Sequence, residues 1–188
     1  LEYLSQAREF TKKMGLSLHL DGARAFNAAV KLGVPISDIT SHVDSCSLCL
    51  SKGLGAPMGS VLVGDASLIE SARKWRKMLG GGMRQAGIMA AAGLFALKNH
   101  VTDLSKDHEK AVLCWEGLRN LKTINLQDEP QTNMVILQVS AKILAELQRF
   151  LRENGVLISS ERLVFHRDIS IESSAYLVEL FETFDASR

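Results

Sequence analysis

Leu50-Ser51-Lys52-Gly53-Leu54-Gly55-Ala56-Pro57 puts a lysine in a glycine-rich turn at the end of an apolar strand. Upstream, Leu18-His19-Leu20-Asp21-Gly22-Ala23-Arg24 puts an aspartate at the end of the preceding strand. A lysine held this way can carry a Schiff base, and an aspartate so placed can pair with a protonated ring nitrogen. Strand, helix and strand in this order favour a mainly parallel α/β sheet, with ligands gathered at the carboxyl ends of its strands.

Outward from this stretch, the periodicity predicts a helix over 1–14 stopped by Gly15, a strand over 16–20, and a turn at Asp21-Gly22. A short helix over 25–31 closes at Gly33, and strands follow over 43–50 and 59–64. A helix over 66–79 ends at Gly80-Gly81-Gly82. The next, over 86–98, is small and apolar nearly all round, as a helix buried between others is. A third helix covers 102–121. The polar segment 125–131 then opens a smaller α+β region, with a strand over 132–139, a helix over 141–154, short strands near 156–158 and 163–166, and a closing helix from about Ser170. The expected domains are therefore 1–124 and 125–188.

With 188 residues, a formal charge of +1 and 46% hydrophobic residues, the chain is long enough to bury a core. It shows no basic excess that would point to nucleic acid and no apolar span long enough for a membrane helix. Cys46, Cys49 and Cys114 do not form an even set, which argues against a disulfide framework and fits a reducing compartment. Cys46-Ser47-Leu48-Cys49 has redox or zinc spacing, but no second ligand pair accompanies it. The two cysteines are read as small apolar residues of a strand, and no metal is expected.

The strings 19–28 and 46–60, continued by Arg73-Lys74-Trp75-Arg76-Lys77-Met78-Leu79-Gly80-Gly81-Gly82-Met83-Arg84-Gln85 and by Gln131-Thr132-Asn133-Met134-Val135, resemble low-specificity L-threonine aldolases. These are fold-type-I enzymes that use pyridoxal phosphate. The resemblance covers nearly all of the chain. It implies an incomplete large domain of the pyridoxal-phosphate-dependent transferase type, followed by a small α+β domain.

By this resemblance Lys52 is the Schiff-base lysine and Asp21 the partner of the pyridine nitrogen, with Ser51 beside them at the cofactor. Arg24 matches an arginine near the cofactor that binds the substrate carboxylate, a task for which a guanidinium offers two parallel hydrogen bonds. Lys77 and Arg84 match cations near the cofactor phosphate, Arg84 from the same or a neighbouring subunit. Arg162 matches a second arginine for the substrate carboxylate. His166 is read as a packed histidine. His19 is read as structural, on the strand face opposite Asp21, and His42, His100 and His108 carry no motif.

The implied reaction is cleavage of threonine or allo-threonine at Cα–Cβ to glycine and acetaldehyde. The implied partners are a small amino acid and further copies of the chain in a homodimer or homotetramer, in the cytosol or the mitochondrion. The family's phosphate-binding turn and ring-stacking histidine fall before Leu1, so the chain is expected to be inactive by itself. The alternatives are a non-catalytic remnant that serves as an oligomerisation module and a related β-eliminating lyase.

Overall fold

Every residue from Leu1 to Arg188 is described by the computed structural model, and contacts divide them into two units, Leu1–Thr102 and Asp103–Arg188. In the first, helix α1 (Glu2–Lys13) precedes strand β1 (His19–Gly22). Helices α2 (Ala25–Leu32) and α3 (Ile36–Thr40) then cross to β2 (Ser45–Cys49), which pairs parallel to β1. Gly33, at φ 67°, ends α2 in the left-handed conformation that glycine adopts without strain. Next come β3 (Ser60–Gly64), α4 (Ala66–Met78) and α5 (Gly87–Asn99). The Asp65 carboxylate caps α4 by accepting from the Leu68 N–H at 2.8 Å.

The sheet order is β1-β2-β3, and β3 runs antiparallel to β2. The expectation of a mainly parallel sheet is corrected here to one parallel and one antiparallel pair. Only residues 50–59 join β2 to β3, too few for the crossover that a parallel strand requires. Asp21 is another correction. It lies inside β1 rather than after it, and its Oδ1 accepts from the Ala23 N–H at 3.1 Å.

The expectation for α5 is also corrected. Gly93 and Ala96 are buried, but Ile88, Leu94 and Phe95 are more than half exposed. One stripe alone packs, with Gly93 against Leu50, where an added Cβ would lie 2.9 Å from the leucine side chain.

The second unit starts with α6 (Leu104–Leu118), whereas the sequence reading ends the first domain at residue 124. Helix α6 groups with α8 (Ile171–Ala186) because Gly117 allows close approach: a Cβ there would come within 2.4 Å of Val178. Between them lie β4 (Asn125–Leu126), β5 (Met134–Gln138), α7 (Ala141–Glu153) and β6 (Arg162–Val164). The strands form an antiparallel sheet in the order β4-β5-β6. The expected strand near 156–158 does not pair. Its Ile158 carbonyl accepts from Gln148 of α7 instead. The core of this unit gathers Leu118, Val135, Leu147, Leu151, Phe165, Phe181 and Phe184.

Two predictions follow from packing. A Cβ on Gly22 would sit 2.7 Å from Cys46 Sγ and 2.8 Å from the Ser47 carbonyl. Gly22→Ala should therefore cost roughly 1–3 kcal/mol in denaturant unfolding, and Cys46→Ala should not restore it, because the backbone contact remains.

Asp185 accepts from the backbone N–H groups of Lys122 and Thr123 and from the Thr123 hydroxyl, at 3.0, 2.7 and 2.5 Å. These donors, the Lys122 amide foremost, hold its carboxyl below the ordinary 3.8. A lowered folded-state pKa contributes stability above the unfolded value, and that contribution is lost as pH falls through the folded value. Asp185→Asn should thus be the less stable protein near neutrality, and the two urea midpoints should converge at low pH.

Candidate active site

The Lys52 turn is pinned on both sides while its amine is left in solvent. Leu50 donates its N–H to the Gly59 carbonyl at 3.0 Å, and Ala56 donates to the Leu50 carbonyl at 2.9 Å. Gly55, at φ 70°, donates to the Lys52 carbonyl at 2.8 Å. Leu50, Leu54 and Ala56 are buried, Leu54 to 2% exposure. The His100 ring, just past α5, gives an Nδ1–H to the Leu54 carbonyl at 2.7 Å and meets Phe95 edge-on. With the backbone fixed so closely, the exposed Lys52 side chain has a defined origin.

Asp21 and Lys52 belong to the carboxyl ends of neighbouring parallel strands, with Asp21 paired in register with Ser47. Side chains two apart on a strand share a face. His19, Asp21, Ser45, Ser47 and Cys49 therefore line one side of the sheet, while Cys46 and Leu48 are buried on the other. The placing of His19 opposite Asp21 is corrected by this alternation. Both are exposed, and His19 Nδ1 lies 2.8 Å from Ser45 Oγ.

The same alternation separates the cysteines. Cys46 is packed, whereas Cys49 is half-buried on the open face, 3.6 Å from the Ser51 hydroxyl. Burial pushes the Cys49 thiol up, but hydrogen bonds from Ser51 and Ser60 and the Lys52 charge together bring it below its ordinary value. No cluster of residues suits a metal ion.

Arg24 occupies the N-cap position of α2 and shares with Asp21 a cavity of about 290 Å³. Lys77 lies in the last turn of α4 and Arg84 in the loop after it, both exposed. Gly82 has no side chain to obstruct the Lys77 stem, whose Cδ would sit 2.7 Å from an added Cβ. Gln85, next to Arg84, is the one non-glycine residue with positive φ, at 51°. In the second unit, Arg162 lies in β6 and lines a cavity of about 570 Å³ with His166, Ser173 and Tyr176. Its N–H donates to Ser160 Oγ at 3.2 Å.

Lys52, Arg24, Lys77, Arg84 and Arg162 make no ion pair with a carboxylate of the chain. The exposed Lys52 amine and the Asp21 carboxylate belong to the carboxyl ends of neighbouring parallel strands, and unpaired Arg24 shares a cavity with Asp21. This set fits a group with an aldehyde, a basic ring nitrogen and an anionic arm. That is the chemistry of pyridoxal phosphate. His100 has no sequence signal, since its partner carbonyl is remote in the chain and belongs to the backbone.

The fold is the fold-type-I architecture of pyridoxal-phosphate enzymes. The threonine aldolase structure from Leishmania major superposes with a TM-score of 0.75 at 19% identity, covering 97% of this chain and 56% of that one. The chain belongs to the beta-eliminating lyase family, which it matches over residues 1–142. It is 45% identical over 186 residues to the low specificity L-threonine aldolase of Escherichia coli K12, covering 97% of this chain and 55% of that protein. Its identity to low-specificity L-threonine aldolase 1 of Arabidopsis thaliana is 43% over 191 residues, with coverage of 97% and 53%. The chain spans about half the length of these curated relatives.

His100→Ala leaves the Leu54 carbonyl without its donor. Amide exchange at Gly55 and Ala56 should accelerate, with a loss of roughly 1–3 kcal/mol in stability. Unchanged protection at these two amides would show that the turn holds without the imidazole.

Proposed function

We propose that this chain carries part of the site of a pyridoxal-phosphate-dependent aldehyde-lyase. The substrate is L-threonine or L-allo-threonine, and the products are glycine and acetaldehyde. The observation that carries this reading is Lys52, exposed and unpaired on a pinned turn, with Asp21 on the adjacent parallel strand. Membership of the beta-eliminating lyase family and the similarity to threonine aldolases support it.

Lys52 Nζ would hold the cofactor's aldehyde end, and Asp21 would keep its ring nitrogen protonated. Ser51, Lys77 and Arg84 would hold the phosphate, and Arg24 would serve the cofactor side and the substrate carboxylate. Arg162 would be a second group able to bind a carboxylate. When bound, pyridoxal phosphate supplies an electron-poor ring that accepts the charge left at Cα as the Cα–Cβ bond breaks. The protein's part is to orient the substrate by its carboxylate and to fix the charges around it.

Exposed Trp75, Met78, Leu79, Met83 and Ile88 support assembly into a homodimer or homotetramer. Three free cysteines support the cytosol or the mitochondrion, and no helix is long and apolar enough to cross a membrane.

The full-length protein with pyridoxal phosphate should show a visible absorbance band that Lys52→Ala abolishes. A protein without the band, or a band that survives the substitution, would overturn the assignment of Lys52. Given allo-threonine, it should release glycine and acetaldehyde without ammonia. Ammonia release would assign it to an elimination instead.

A further inference from the structure

An ammonium group is enclosed in the second unit. The Lys110 side chain is 8% exposed and that of its partner Asp107 3%, both on α6. Lys110 Nζ lies 2.7 Å from Asp107 Oδ1 and donates to the carbonyls of His166 and Ile169, each at 2.9 Å. An ammonium has three protons, and these oxygens use all of them.

Both carbonyls belong to the stretch that follows β6, and Asn133 grips the same stretch from the residue before β5. Phe165 donates its N–H to the Asn133 carbonyl at 2.9 Å, and Asn133 Nδ2 donates to the Phe165 carbonyl at 2.8 Å. Asn133 is 2% exposed. Arg167 adds a weaker tie, 3.8 Å from Asp103 just before α6. The carbonyls of residues 165, 166 and 169 are thus held by side-chain donors, where a longer strand would have used a neighbouring strand.

Replacing a buried ion pair with apolar residues of equal volume often leaves stability unchanged or higher, so stability alone does not account for this one. What the pair supplies here is a fixed position for the chain just after Arg162. Leu163 and Phe165 point into the core, and Arg162 and His166 lie on the alternate side, where both line the 570 Å³ cavity. Around that stretch the other charged groups are Asp168, 3.4 Å from His166 Nδ1, the Arg167–Asp103 pair, and Glu161 and Glu172, which form no ion pair. None of them pairs with Arg162.

From this geometry we infer that Lys110, with Asp107 and Asn133, is a positioning residue that sets β6 so that Arg162 presents its guanidinium to an amino-acid carboxylate. The inference rests on the reading of Arg162 given above. It adds to that reading that the site prefers a free carboxylate over its uncharged analogues because Lys110 holds the segment behind Arg162.

The test uses the full-length, pyridoxal-phosphate-loaded protein and two probes, glycine and glycinamide, whose affinities are read from the change in cofactor absorbance. Lys110→Met keeps the stem and removes the charge. It should weaken glycine binding about tenfold, as a displaced binding group does, and leave glycinamide within about twofold. Amide exchange over residues 164–169 should accelerate in the same variant. Arg162→Met should remove the same preference, and Lys110→Met added to it should change nothing more.

If Arg162→Met retains the preference, the reading of Arg162 fails and the inference fails with it. If Arg162→Met loses it and Lys110→Met keeps it, the inference alone is overturned. Should Lys110→Met not fold, Lys110→Arg decides. Its larger planar head keeps the charge but displaces the two carbonyls, and an unchanged preference would overturn the proposal.

Discussion

Gly22 rests against Cys46 and the Ser47 carbonyl with no space for a side chain, and this contact fixes the separation of β1 and β2. The candidate site depends on it, because Asp21 immediately precedes Gly22 and Lys52 shortly follows β2. A wider gap would break the parallel ladder in which Asp21 pairs with Ser47 and Gly22 with Leu48. A small residue on one strand and a buried thiol on the next thus do what larger side chains cannot. They let two backbones approach while both carry chemistry on the opposite face.

The two units solve a common problem with different means. A charged side chain can serve as an anchor only if its backbone is held while its head stays accessible. In the first unit, Leu54 burial and the His100 imidazole hold the turn and leave the Lys52 amine in solvent. In the second, a buried ammonium and a buried amide hold the segment behind Arg162, which stays exposed. In each case the fixing group is polar, His100 half-buried and Lys110 and Asn133 buried, and each donates to a backbone carbonyl. Such groups carry a desolvation cost that only well-formed hydrogen bonds offset.

Much of the fold was legible in local pattern. Gly33 and Gly15 stop helices as their positions in the sequence suggest, the last helix starts at Ser170, and residues 45–49 form a strand within the expected span 43–50. The motifs around Lys52 and Asp21 were likewise readable, because their chemistry is local to a strand end. Pairing direction was harder. It depended on the length of the link between β2 and β3, not on the residues of either strand. The environment of α5 was misread because an apolar helix shows by composition that it can be covered, but not that it is. His19 was placed on the wrong face, although the strand period by itself puts it beside Asp21.

By itself the sequence determined which groups are available: an amine, a carboxylate and a set of guanidinium and ammonium groups, each on a predictable element. It also determined the family, since long strings of residues in order carry that information without any folding. Tertiary structure alone decided what holds those groups still. The partners of His100, Lys110 and Asn133 are backbone carbonyls and amides remote in the chain, and a backbone group is the same in every residue. No pattern of side chains can announce such a contact. Only folding, by bringing a donor within 3 Å of a particular carbonyl, makes it specific.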